Sequence, residues 1–110
     1  ITEAQFLSTC YNDILAMAYS ESRFDNKAVG DQGRSHGPFQ IQTKLHNVTL
    51  EQAENYEWAA EWTLDRMVRD LDYPYLRTAA IRRHNGAGKG AEMYAVAVKS
   101  KAEEFRIAGY

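Results

Sequence analysis

The sequence predicts a mainly α fold, one domain over residues 1–110, with a single long glycine-rich loop set among its helices. Three observations carry that expectation. Apolar residues recur every three or four positions along four stretches. Two Thr-x-x-Gln capping boxes, Thr2 with Gln5 and Thr49 with Gln52, mark helix starts. Gly30, Gly33, Gly37 and Pro38 crowd into one segment that has no helical period. A chain of 110 residues is long enough to bury one core and too short for two.

The first helix opens at Thr2, carries Phe6, Cys10, Ile14, Met17 and Ala18 at helical spacing, and is expected to stop at Glu21 or Ser22. Arg23 to His46 reads as loop, with a short hairpin or extended piece at Phe39–Gln42. A long helix follows from Thr49, with Ala53, Tyr56, Ala60, Leu64, Met67 and Leu71 on one face, and ends before Tyr73-Pro74. A shorter helix carries Leu76, Ala80 and Ile81 up to His84, and Asn85-Gly86-Ala87-Gly88 is a turn. A last helix over about 90–106 places Met93, Val96 and Ala97 on one side. A loop this long inside a small domain is more often functional than incidental.

Composition narrows the function classes. The net charge is −2 but uneven: residues 1–65 hold four Lys/Arg against ten Asp/Glu, and residues 66–110 hold nine against five. The basic half offers either a wall facing an anionic polymer or an ordinary solvated helix face, and the latter is the simpler account. Nucleic acid is disfavoured, because no basic run interleaved with aromatics occurs. No apolar run approaches the ~20 residues of a membrane span, and no signal peptide is expected within the chain. Cys10 is the one cysteine and sits on an apolar stripe, as a small buried hydrophobe does. No metal-ligand spacing, phosphate-cradling loop, dinucleotide fingerprint or nucleophile elbow occurs. No metal and no cofactor are therefore expected.

Glu21 is the principal candidate for chemistry. A helix C-terminus carries partial negative charge, which opposes ionisation of a carboxylate there. Tyr19, Phe24 and Phe39 are available as apolar walls that desolvate it further. A carboxylic acid still protonated near neutral pH can donate a proton to a glycosidic oxygen.

Around that residue the sequence resembles the soluble lytic transglycosylases of the lysozyme-like superfamily. The likeness lies in Glu21-Ser22-x-Phe24, Ala28 and Gly37-x-x-Gln40-Ile41, then Asn55-Tyr56 with Ala59-Ala60-x-Trp62, and last His84-Asn85-Gly86-Ala87-Gly88 with Tyr94. A second likeness, Gly30-Asp31-x-Gly33-x-Ser35-x-Gly37-Pro38-Phe39-Gln40-Ile41 with Arg83-His84-Asn85-Gly86, is similar to invertebrate-type lysozymes. The resemblance implies a lysozyme-like α-rich catalytic domain cleaving the β-1,4 bond between N-acetylmuramic acid and N-acetylglucosamine in peptidoglycan. Glu21 is then the general acid and base, with Ser35, Gln40, His84, Asn85 and Tyr94 binding the glycan.

Asp31 divides the two mechanisms. It is either a turn aspartate bonding nearby N–H groups or a second carboxylate, a nucleophile or a base for water according to its distance from the acid. The first alternative fits a transglycosylase with one Glu, the second a hydrolytic muramidase. A non-catalytic wall-binding or scaffold domain is the third reading. The implied setting is extracytoplasmic, in the periplasm, the cell wall or a virion, as a monomer or a part of a larger phage, secretion or conjugation protein.

Overall fold

A computed structural model describes residues 2–110 and is mainly helical. In order these are α1 (Glu3–Ser22), β1 (Val29–Gly30), β2 (Ser35–His36), β3 (Ile41–Gln42), α2 (Thr43–His46), α3 (Leu50–Glu54), α4 (Tyr56–Asp70), α5 (Arg77–Asn85) and α6 (Lys89–Ile107), with a 3-10 turn at Asp31–Gly33. The residues fall into two compact units, one of Ile1–Met17 with Leu64–Tyr110, the other of Ala18–Thr63. None of the described helices is long and apolar enough to cross a membrane.

The first unit is built from helices. The Thr2–Gln5 capping box forms, with each side chain bonded to the other's backbone N–H. On α1, Cys10, Ile14 and Met17 are buried as their spacing requires, and burial pushes the Cys10 thiol's pKa up. Asp13 lies in the same stripe and is fully buried. Its carboxylate accepts from Tyr73 Oη at 2.6 Å and from Arg77 Nε and Nη2 at 2.8 and 2.6 Å. Three charge-assisted donors offset the cost of burying that anion. The same burial and the neighbouring Asp13 raise the Tyr73 phenol far above its usual range. Helices α5 and α6 pack on each other. The buried stripe of α6 is Ala91, Ala95, Val98 and Ala102, and its Met93 and Val96 side is exposed.

Several basic residues of this unit have local partners. Arg77 is spent on Asp13, Arg69 on Asp70, and Arg83 reaches Asp72 at 3.9 Å. Arg66 donates to His84.

The second unit holds the long loop, and it is more ordered than the sequence suggested. β1, β2 and β3 form an antiparallel sheet, with Gly30 opposite Ser35 and Ser35 opposite Gln42. Thr43–His46, read from sequence as loop, is a helical turn closed by Asn47 at φ 54. Phe39 and Ile41 are buried, and Phe39 meets the Tyr56 ring at 5.4 Å.

The expected single helix from Thr49 to Leu71 is two. Thr49 and Gln52 cap α3 as expected, but Asn55 takes an extended backbone at φ −86, ψ 113. Its Oδ1 then accepts the Trp58 N–H at 3.0 Å and starts α4 afresh. The buried stripe of α4 is correspondingly Ala59, Thr63 and Met67 rather than Ala60 and Leu64.

Candidate functional site

Glu21 occupies the last turn of α1, a turn without a basic residue. Burial pushes its carboxyl up from the ordinary 4.5 to about 7. The helix C-terminus, whose partial charge is negative, opposes ionisation in the same direction.

The chain leaves α1 through two consecutive left-handed residues, Arg23 (φ 55) and Phe24 (φ 65). The Arg23 N–H still reaches the Tyr19 carbonyl at 2.9 Å. Arg23 folds its guanidinium over the Tyr19 ring at 4.0 Å, and the Phe24 ring lies 5.9 Å from the same ring. Of the three aromatic residues expected as walls for Glu21, Tyr19 and Phe24 meet at the helix end, with Phe24 42% exposed, whereas Phe39 packs on Tyr56.

Ser22 fastens the glycine-rich loop beside the acid. Its hydroxyl lies 2.9 Å from the Pro38 carbonyl and 3.1 Å from that of Ala18, and it accepts the Asp25 N–H at 3.2 Å. Gly37, at φ +83, lies so close to α3 that a Cβ there would stand 1.9 Å from the Ala53 carbonyl oxygen. Gln40, itself left-handed at φ 52, spends both amide hydrogens on the loop, donating to Gly37 O at 2.9 Å and Ala28 O at 3.2 Å. Its Oε1 fills the space a Cβ on Gly30 would need. Gln40 thus braces the loop.

Ser35 is 6% exposed within β2. Asp31 is a turn residue at φ 52, exposed, with Oδ1 held 3.0 Å from Arg34 Nη2. Of the seven non-glycine residues with positive φ among those described, five lie between Arg23 and Gln40. Backbone strain of this kind costs about 1–3 kcal/mol per residue and concentrates at functional sites.

His84, Asn85 and Tyr94 belong to the other unit. His84 Nδ1 stands 3.0 Å from Arg66 Nη1, a group that can only donate, so Nδ1 accepts and the ring proton sits on Nε2. Asn85 is the exposed last residue of α5, and the left-handed turn falls instead on Gly86 at φ 144. Tyr94 is half-buried on α6. Trp62, a position of the second motif block, is half-buried with its indole 5.0 Å from the His46 ring.

Ser22 and Asn55 stood in the sequence only as motif positions, and the structure gives each a backbone-bonding role. Each belongs to a short polar type that bonds backbone at element ends, and that was their available signal. No family model, curated protein or solved structure matches the chain. The functional reading rests on these side chains.

Proposed function

We propose that the chain cleaves the glycan strand of bacterial peptidoglycan, with Glu21 as general acid and base, in the manner of a lytic transglycosylase. The observation that carries this is the Glu21 carboxyl, raised by burial to about 7 at the end of α1, where the strained glycine-rich loop is pinned by Ser22. Such an acid is half protonated at neutral pH and so supplies both forms that the reaction uses. It gives its proton to the glycosidic oxygen between N-acetylmuramic acid and N-acetylglucosamine as the C1–O bond breaks. The substrate's N-acetyl group stabilises C1, and the Glu21 carboxylate takes the proton from the C6 hydroxyl as O6 closes on C1. The product is a 1,6-anhydro sugar, and no water is consumed.

The hydrolytic alternative needs Asp31 as nucleophile or base. Its exposure and its pairing with Arg34 support the turn role instead. A glycine-rich loop braced by Gln40, and an extracytoplasmic setting, belong to the same proposal.

The test is mass spectrometry of fragments released from purified sacculi, with Asp31→Asn run alongside. Anhydro-muramic ends from both proteins are expected. Reducing ends that vanish in Asp31→Asn would overturn the single-acid mechanism. Binding to sacculi with no release would leave a scaffold domain.

A further inference from the structure

The sheet unit carries a second feature that the cleavage chemistry does not use. Beside β2, β3 and α2 lies a pocket of about 340 Å³ lined by Gln32, Arg34, His36, Gln42, Thr43 and Lys44. No carboxylate lines it. The turn that delivers its first residues is left-handed at Gln32 (φ 59) and Gly33 (φ 87), which brings Arg34 round to Asp31. Arg34 Nε donates to the Asp31 backbone carbonyl and Nη2 pairs with the Asp31 carboxylate, leaving Nη1 unspent. Lys44 makes no ion pair among the described residues. Two cations, two side-chain amides, a hydroxyl and an imidazole thus share the lining with the apolar Leu45, and Asp31 is paired with Arg34 beside it.

That donor set is complementary to an anionic oxygen group. The volume corresponds to roughly ten water molecules, so it holds a carboxylate together with the residue that bears it. A polyanion is a poorer fit. Residues 18–63 contain four Lys/Arg and seven Asp/Glu, so the unit as a whole repels an extended phosphate chain while this one pocket attracts a single charge.

We propose that this pocket binds a free carboxylate of the peptide stem that peptidoglycan carries on its glycan. The assignment rests on the wall-cleaving reading above for its source of carboxylate, but its test does not require cleavage. Amide shifts of the whole chain are followed by NMR as a synthetic stem peptide with free carboxylates is added. Its fully amidated analogue, sodium acetate and a short single-stranded oligonucleotide serve as further probes. Lys44→Gln is the variant, chosen because Lys44 is exposed and its loss leaves the core untouched.

The free-acid peptide is expected to move amides within 32–36 and 42–45. At least tenfold weaker binding is expected for the amidated peptide, and for Lys44→Gln with the free acid. Equal binding of the amidated peptide, or no change in Lys44→Gln, would overturn the assignment. So would acetate binding as tightly as the peptide, or tighter binding of the oligonucleotide at the same amides. A protein that releases wall fragments but binds no peptide refutes this pocket alone. One that binds the peptide but releases nothing keeps the pocket and loses the cleavage reading.

Discussion

Replacing Glu21 with Gln should stabilise the protein at pH 8 and leave its stability almost unchanged at pH 4. The carboxyl titrates at about 7 in the folded chain against an ordinary 4.5, so the folded state keeps a proton that the unfolded state has already released. Below pH 4.5 both states are protonated and Glu21 imposes no penalty. As pH rises from 4.5 through 7 that stability is lost, and above 7 the penalty is constant. At about 1.4 kcal/mol per pH unit, the interval amounts to about 3 kcal/mol. That is a large share of the roughly 5–15 kcal/mol holding a domain together. Gln keeps the shape of the side chain and removes the titration. Urea unfolding of both proteins at pH 4, 6 and 8 measures the difference directly. A gap that opens between pH 4 and 8 in favour of Glu21→Gln is expected. An equal gap at every pH, or a variant less stable at pH 8, would refute the claim that burial holds this acid protonated.

Three further outcomes follow from the same structure. Activity on the wall should fall above about pH 7, approaching tenfold per unit in kcat/KM as the acid loses its proton; a profile flat to pH 9 would exclude Glu21 as the donor. Arg77→Met should cost about 3–5 kcal/mol in urea unfolding at pH 7, because it strips two of the three donors from the fully buried Asp13; a loss below about 1 kcal/mol would mean the ion pair does not hold α5 to α1. Gly37→Ala should cost about 2 kcal/mol or more, from its left-handed backbone and the clash with the Ala53 carbonyl; full stability by thermal melting would show that the loop gives way there freely.

Much of this fold was legible because local chemistry decided it. Thr2 with Gln5 and Thr49 with Gln52 satisfy the open N–H groups of their own helices, so four residues of sequence suffice to place each. The stop of α1 at Ser22 was likewise set close by, at the glycine-rich loop. Asn55 misled the reading because the helical period of apolar residues runs straight through it. Only its side chain's bond to the Trp58 N–H reveals the new start. The Asp13 network was out of reach for a different reason: its partners lie 60 and 64 residues away, and an acid inside an apolar stripe does not say which cation will meet it. At the candidate site, Glu21 was singled out from its helix end and the aromatic residues near it in sequence. Gln40's bracing of Gly37 and Ala28 needed the left-handed backbone at Gln40 itself, which no local signal at a glutamine announces.

The most direct test of the central claim is the release of soluble fragments from purified sacculi at pH 6 by the native protein and by Glu21→Gln, with circular dichroism confirming that both are folded. The account predicts release by the native protein and a loss of at least a hundredfold in the variant. A folded Glu21→Gln protein that keeps more than a few per cent of the native rate would contradict it.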